Sequence, residues 1–292
     1  MACAKAWLIV IDAQTHQNLR NGPAIVWVGR PMQVMRVGAT LAPAPTSLLE
    51  SRSLSVKIIT IGGGEISELE TLDLDAFICS QTGKSTPKAL FIPTASGDAD
   101  GYCATFQHVY GERLGCEVDF LLASRTDFSH QQAMHKILNA DLVYVGGGNT
   151  EKMLAVWRDF RIAAALRQAG ESGTVLAGLS AGAICWYEAG LSDSDRFTAG
   201  SDWKLKRLGA LGFLPGVFCP HLDKEQRHAP LLELVRTSGE RAVACDNGAA
   251  IYWHDGVAQV LSSLPNAFAY LYTPVSGEVS VERFSAGQKL PL

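Results

Sequence analysis

The sequence predicts an α/β fold in which a mostly parallel β-sheet is covered by helices on both faces. From residue 55 onward, short apolar runs alternate with longer stretches of helical pattern. The apolar runs are continuous rather than alternating, which is typical of parallel strands that are buried on both faces. Most of them end in glycine or polar residues. Because the ends of parallel strands meet at one edge of a sheet, we expect a functional site there.

The predicted elements follow one another in a regular order up to Ser180. The strands are expected at 56–61, 89–93, 118–122, 142–145 and 175–177. The helices are expected at 65–79, 104–114, 131–139, 150–158 and 161–169. After Ser180 we expect a helix-forming stretch at 183–188, a turn-rich stretch at 191–201, a strand at 217–220 and a helix at 225–238. Three closely spaced strands at 242–245, 249–253 and 257–261 predict a small antiparallel extension.

The composition is that of a globular protein and restricts its partners. The chain has 292 residues, of which 47% are hydrophobic and 18% charged, so it can bury a full core. Its net charge of -4 and the lack of a Lys/Arg run argue against nucleic acid or a membrane surface as a partner. The seven cysteines form no Cys-x-x-Cys pair and no zinc-like cluster. We therefore expect a cytoplasmic protein with no metal, no cofactor and no disulfide framework.

The first 55 residues differ from the rest of the chain. The apolar run 7–11 is cut by Asp12 and is too short to span a membrane, and the prolines beyond it accompany no clear periodicity. We interpret 1–55 as an appendage and 56–292 as the catalytic domain. The appendage is a strand with an irregular arm, a poorly ordered extension, or sequence upstream of the natural start, and we expect the core to fold without it.

A candidate nucleophile lies in the Gly-Leu-Ser-Ala-Gly motif at 178–182. The motif follows an apolar strand and precedes a helix-forming stretch. A serine between glycines at such a junction is the nucleophile-elbow pattern, in which a tight turn lifts the hydroxyl above the sheet. Ser180 is therefore the candidate nucleophile.

Two glycine-rich strand ends have different interpretations. The Gly146-Gly147-Gly148-Asn149-Thr150 segment follows a strand and begins a helix, so its amides can face a developing negative charge as an oxyanion hole. The alternative is a plain turn capped by Asn149 or Thr150. The glycines at 62–64 resemble a dinucleotide loop only superficially, because no Gly-x-Gly-x-x-Gly follows them and no acid sits at the ribose-binding distance. We predict no nucleotide.

His221 is the best candidate for a general base among the seven histidines. It follows an apolar strand that ends at the same predicted edge as Ser180, so it can take the hydroxyl proton and deliver it to the leaving amine. His228, on the next helix, is the second choice. An acid must orient the imidazole. Asp193 and Asp195 lie in a loop between nucleophile and base, and Asp223, Glu225 and Asp246 are the alternatives.

Together these motifs resemble the peptidase S51 family, which comprises dipeptidase E and cyanophycinase on a class I glutamine-amidotransferase-like, flavodoxin-like sheet. The resemblance covers about residues 56–262 and rests on five segments, at 61–64, 92–94, 145–150, 178–182 and 219–221. It implies Ser180 as the nucleophile and His221 as the base, with the amides of Gly148 and Ala181 as the oxyanion hole. Ungapped spacing assigns the acid to Asp195, whereas the Ser-Asp-Ser pattern of one branch assigns it to Asp193, so both stay open.

The resemblance implies a serine exopeptidase of the dipeptidase E type that acts on short peptides. An N-terminal aspartate, the substrate of the aspartyl dipeptidases, would call for a nearby cation, and Arg227 and Arg196 are the candidates; Asn149 is a further substrate-binding candidate. Segments 180–186 and 220–227 look more like a branch of unsettled specificity. The alternatives are a non-catalytic amidotransferase-like module that binds a small molecule or partner chain, and a cyanophycinase-like hydrolase. As partners we consider a short peptide substrate and a second copy of the chain in a homodimer.

Overall fold

The computed structural model describes residues 56–125, 129–197, 203–224 and 226–292, apart from the side chains of residues 159 and 160. The predicted appendage at 1–55 lies outside these residues, as do the candidate acid Glu225 and positions 198–201 of the predicted turn-rich stretch. The boundary placed between residues 55 and 56 therefore stays a prediction.

The described residues form fourteen strands and seven α-helices. The strands are β1 (Ile58–Ile61), β2 (Lys88–Ile92), β3 (Glu117–Phe120), β4 (Leu142–Val145), β5 (Val175–Leu179), β6 (Tyr187–Ser192), β7 (Lys206–Gly209), β8 (Leu214–Cys219), β9 (Ala242–Cys245), β10 (Ala249–His254), β11 (Val257–Ser262), β12 (Ala269–Val275), β13 (Glu278–Phe284) and β14 (Lys289–Leu290). The helices are α1 (Leu72–Ser80), α2 (Asp100–Phe106), α3 (His130–Leu138), α4 (Thr150–Phe160), α5 (Ile162–Glu171), α6 (Ala181–Ile184) and α7 (His228–Ser238). Three short 3-10 turns, at Ile66–Glu68, Thr94–Ser96 and Ser194–Phe197, and a π-helical segment, Gln107–Arg113, complete the elements.

The larger sheet has eight strands in the order β14-β11-β10-β1-β5-β4-β2-β3. Five neighbouring strands, β1, β5, β4, β2 and β3, are parallel. Beyond β1, the strands β10, β11 and β14 continue the sheet in antiparallel fashion. Strands β1, β4 and β5 are buried at every position, as their continuous apolar sequences predict. Helix α1, helix α2 and the π-helical segment cover one face, and α3, α4 and α5 cover the other. The predicted fold class is confirmed.

A second sheet of six strands, which we did not predict, lies beside the antiparallel extension that β10 and β11 form on the larger sheet. Its order is β13-β12-β9-β8-β6-β7, and β6, β8 and β9 pair in parallel. Of the three strands predicted for the extension, β10 and β11 belong to it, whereas β9 lies in the second sheet between β8 and β12. The sequence pattern alone did not separate the two sheets, because both use short apolar runs of similar length.

The stretch predicted as a helix at 183–188 is mostly not helical. Helix α6 ends at Ile184, and the chain then enters β6. The turn back is tight: a side chain at Gly190 in β6 would press on Ile184 and on the carbonyl of Phe218. Trp186 and Tyr187 are fully buried at this junction. The prediction was wrong because aromatic and small residues here pack between the sheets rather than form one face of a helix.

In the part of the chain that the structure describes, no helix has both the length and the apolar character needed to cross a membrane.

A buried carboxyl group lies in the face of the larger sheet covered by α1. Asp75 is fully buried, and its two oxygens accept hydrogen bonds from the Thr71 hydroxyl and the Tyr110 phenol, each at 2.8 Å. Burial raises the pKa of Asp75 from 3.8 to about 7, which outweighs the opposing effect of the two hydrogen bonds. Between these two values the folded state holds a proton that the unfolded chain releases.

We therefore expect Asp75 to make the protein less stable as the pH rises from about 4 to about 7. Replacement by asparagine removes the ionisation. The free energy of unfolding of the wild type, relative to Asp75→Asn, should fall through this window by at most about 1.4 kcal/mol per pH unit. Urea denaturation at several pH values measures the difference. Asp73→Asn, an exposed neighbour in the first turn of α1, is the matched control; parallel stability curves for wild type and Asp75→Asn would contradict the assignment.

Candidate active site

The candidate site lies where the carboxyl ends of strands from both sheets meet. In the larger sheet, β5 leads into Ser180, β1 into the glycines at 62–64, and β4 into the glycines at 146–148. In the second sheet, β8 leads into His221 and the neighbouring parallel strand β9 into Asn247. The sequence predicted this convergence for Ser180 and His221 as parts of one sheet, whereas the structure brings them together from two.

Ser180 occupies a strained turn between β5 and α6. Its backbone has φ 54° and ψ −111°, a conformation that residues other than glycine rarely adopt. Glycines make the turn feasible, since a Cβ at Gly178 would collide with the carbonyl of Gly182, and one at Gly182 with the carbonyl of Val145. This is the geometry of the nucleophile elbow.

The imidazole of His221 faces the Ser180 hydroxyl. His221 Nε2 lies 2.8 Å from Ser180 Oγ. His221 also has a positive φ, 53°, and its backbone N–H donates to the carbonyl of Gly62 at 3.2 Å. The hydroxyl can therefore donate to Nε2 whenever Nδ1 carries the ring proton, which is the arrangement that a general base requires.

Asn247 is a site residue that the sequence reasoning missed. Its Oδ1 lies 2.7 Å from His221 Nδ1, so the ring N–H can donate to the amide oxygen. The backbone N–H of Asn247 donates to Asp223 Oδ1 at 2.8 Å, which fixes the loop after β9. The available signal was its place two residues after a predicted strand end, where we considered only the neighbouring carboxylate, Asp246.

The carboxylates considered as triad acids have other partners. Asp193 Oδ2 accepts from Arg227 Nη2 at 3.1 Å, and Asp195 Oδ1 accepts from Lys206 Nζ at 2.7 Å. Neither of these contacts involves His221.

The loop that carries both aspartates is held elsewhere. The side-chain hydroxyl of Ser194, between them, accepts from the backbone N–H of Glu151 at the start of α4. Asp246 is buried beside Asn247 and accepts from the backbone N–H of Phe268 at 3.0 Å and from the Tyr270 hydroxyl at 3.3 Å. The turn after β9 therefore directs Asn247 Oδ1 to His221, while Asp246 Oδ2 contacts Phe268 and Tyr270.

The predicted oxyanion-hole residues lie next to the nucleophile. Gly148 has φ +138°, and a Cβ there would collide with the carbonyl of Ala95, so only glycine fits. Gly147 packs against Ser180 and donates its N–H to the Tyr102 hydroxyl at 3.3 Å. Ala181 directly follows the nucleophile as the first residue of α6. The arrangement agrees with an oxyanion hole formed by Gly148 and Ala181, which stays a prediction.

A cavity of about 330 Å³ opens over Ser180. Its described lining consists of Gly64, Glu65, Ile66, Ser67, Tyr102, Thr105, Gly147, Gly148, Leu179, Ser180, His221 and Asn247. The three predicted substrate-binding residues are not among them. Arg227 is 1% exposed and donates to the carbonyl of Leu191, and Asn149 caps α4 by accepting from the backbone N–H of Lys152. Arg196 lines a separate pocket.

The glycines after β1 lie in close contact with His221 and the loop after β9. Gly62 packs against the backbone of Asp246, and a Cβ on Gly63 would overlap both the His221 ring and Asn247 Oδ1. We discounted this run as a nucleotide loop, and its close approach to the second sheet was not visible in the sequence. It belongs to the candidate site.

The parallel sheet, the nucleophile elbow and the serine–histidine pair together define an α/β enzyme of the hydrolase class. The comparison with known proteins gives the family. The profile of Peptidase family S51 matches residues 44–261. The chain belongs to this family and is a peptidase.

Its relatives are consistent with this assignment. The chain is 37% identical over 228 residues to the uncharacterized peptidase YgaJ of Bacillus subtilis (strain 168), which spans 77% of this chain and 95% of that protein. The crystal structure of a peptidase from an acI-B1 Actinobacterium superimposes with a TM-score of 0.65 at 19% identity, over 83% of this chain and 99% of its own. A putative peptidase E protein from Listeria monocytogenes EGD-e gives a TM-score of 0.55 at 18% identity, over 71% and 98%. These two structures show the shared fold.

Gly63, which contacts His221 and Asn247, gives a test of the site geometry. Gly63→Ala places a methyl group against the His221 ring and Asn247, so the imidazole must move and kcat/KM on a peptide substrate should fall by roughly 10²-fold or more. Steady-state kinetics measure the loss, with the melting temperature as a record of folding. Gly101→Ala is the matched control, because that position in α2 has open space around it. Wild-type activity of Gly63→Ala would show that the imidazole does not depend on this contact.

Proposed function

We propose that this peptidase is a serine exopeptidase that hydrolyses short peptides through an acyl-enzyme formed on Ser180. One observation carries the proposal: the Ser180 hydroxyl lies 2.8 Å from His221 Nε2 at a strained nucleophile elbow. A nucleophile and a base within hydrogen-bond distance are the minimum that covalent catalysis requires.

The chemistry follows from this pair. Ser180 Oγ attacks the scissile carbonyl carbon while its proton moves to His221 Nε2, and the carbonyl oxygen becomes an oxyanion that the amides of Gly148 and Ala181 stabilise. As the tetrahedral intermediate collapses, the C–N bond breaks and His221 returns the proton to the leaving amine. A water molecule, deprotonated by His221, then hydrolyses the acyl-enzyme and frees Ser180.

Asn247 takes the orienting position in this proposal. By accepting from Nδ1–H, its amide oxygen holds the ring in the tautomer that leaves the Nε2 lone pair towards Ser180. An amide is uncharged, so it orients the imidazole but stabilises the imidazolium less than a carboxylate would. Asp223 supports this arrangement by holding the Asn247 backbone.

The cavity supports short peptides as substrates. Its volume of about 330 Å³ is at the lower end of the range for small-ligand pockets. A preference for N-terminal aspartate has less support, because Arg227 is buried away from the cavity and Arg196 lines another pocket. Membership of a peptidase family and the serine–histidine contact favour an enzyme over the non-catalytic module that we considered.

The nucleophile and base are tested by single and double substitution. Ser180→Ala and His221→Ala should each lower kcat by roughly 10³-fold or more, and the double variant should lose little beyond either single one because the two act as a unit. Release of the C-terminal amino acid from dipeptides, followed by chromatography, measures turnover. Near-wild-type turnover by pure Ser180→Ala protein would refute the serine mechanism.

The orienting role of Asn247 is tested against the aspartates predicted from sequence. Asn247→Ala should lower kcat by roughly 10- to 10²-fold, since the ring loses its fixed tautomer. Asn247→Asp should retain more activity and move the acidic limb of the pH profile of kcat/KM to higher pH, because a carboxylate stabilises the imidazolium. Asp195→Asn, whose partner is Lys206, is the control and should stay within a few-fold of wild type. If Asp195→Asn lost more activity than Asn247→Ala, Asp195 would be the residue that orients His221.

A further inference from the structure

The described residues that line the cavity include one acidic side chain and neither lysine nor arginine. That side chain is the carboxylate of Glu65. Glu65 is exposed to solvent and lines the same cavity as Ser180 and His221. Burial raises the pKa of Tyr102, another residue of the lining, to about 12, and the negative charges of Asp75 and then Glu65 add to this shift.

The turn that carries Glu65 is fixed by its backbone. The N–H of Glu65 donates to Glu70 Oε2 at 2.8 Å, and its carbonyl accepts from the N–H groups of Glu68 and Glu70. Ile66, the next residue, is 5% exposed and anchors the turn in the core. A carboxylate on a fixed turn at the edge of a small cavity is suited to bind a cation at a set distance from the nucleophile.

We propose that Glu65 binds the α-ammonium group of the substrate's N-terminal residue. The inference rests on the proposed peptidase function and adds to it the residue that recognises the free N-terminus of the peptide. In such a substrate the ammonium nitrogen is two bonds from the carbonyl carbon that Ser180 attacks, so both must fit in the same cavity. The ammonium group is protonated at neutral pH, and its hydrogen bonds to a carboxylate are of the strong, charge-assisted type.

Four substrates separate recognition of the chain end from recognition of a basic side chain. They are Ala-Leu, Lys-Leu and the N-acetyl form of each, and the released leucine is quantified. The wild type should cleave both free peptides and discriminate against both acetylated ones. Glu65→Gln should lower kcat/KM for the free peptides by about tenfold or more, mainly through KM, and leave the acetylated ones unchanged. Glu68→Gln, an exposed acid of the same turn that does not line the cavity, is the matched control.

Binding to inactive protein keeps this inference distinct from the catalytic one. Calorimetric titration of Ala-Leu into Ser180→Ala protein should show binding that acetylation or an added Glu65→Gln change weakens by about tenfold or more. The same binding without any wild-type hydrolysis would contradict the proposed function while supporting the role of Glu65. The role is overturned if Glu65→Gln leaves the discrimination intact, if wild type cleaves acetylated peptides equally well, or if the loss follows the lysine side chain.

Discussion

The site depends on the close approach of the backbone at Gly62 and Gly63 to the second sheet. The carbonyl of Gly62 accepts from the N–H of His221, and the carbonyl of Gly63 accepts from the N–H of Gly248 at 2.9 Å. These bonds fasten the loops after β8 and β9 to the end of β1. Since β1 pairs directly with β5, the strand that carries Ser180, the base is positioned relative to the nucleophile through one strand of the larger sheet.

A buried polar contact beneath the site joins the same two sheets. The Tyr187 hydroxyl, from β6, lies 3.1 Å from Thr60 Oγ1 in β1 and accepts from Trp253 Nε1 in β10 at 3.0 Å. All three hydrogen-bonding groups are buried, so separating the sheets would leave them unsatisfied in an apolar setting. The relation between the sheets is thereby fixed in the core as well as at the strand ends. This supports the precise geometry that a 2.8 Å contact between Ser180 and His221 requires.

The sequence predicted the parallel core, Ser180 and His221 because each follows from local rules. Continuous apolar strands indicate burial on both faces, and a serine between glycines indicates a tight turn. The second sheet could not be predicted in this way, since the strand at Tyr187–Ser192 follows a four-residue helix within what reads as one helical stretch. Asn247 was missed for a different reason. Its role comes from packing across strands, and the choice among polar residues at a strand end depends on which one faces inward.

The pairing of Asp193 with Arg227 affects how loss of function should be interpreted. Arg227 is 1% exposed, and removal of the Asp193 carboxylate would take a charged hydrogen-bond partner from a buried guanidinium group, which destabilises the folded state. A screen that scores only activity in cell extracts would rank Asp193 with the catalytic residues, although its loss acts on the yield of folded enzyme. Asp193 matches the Ser-Asp-Ser pattern of one branch of the family. The amount of folded protein and the activity per molecule must therefore be measured separately before a catalytic role is inferred for it.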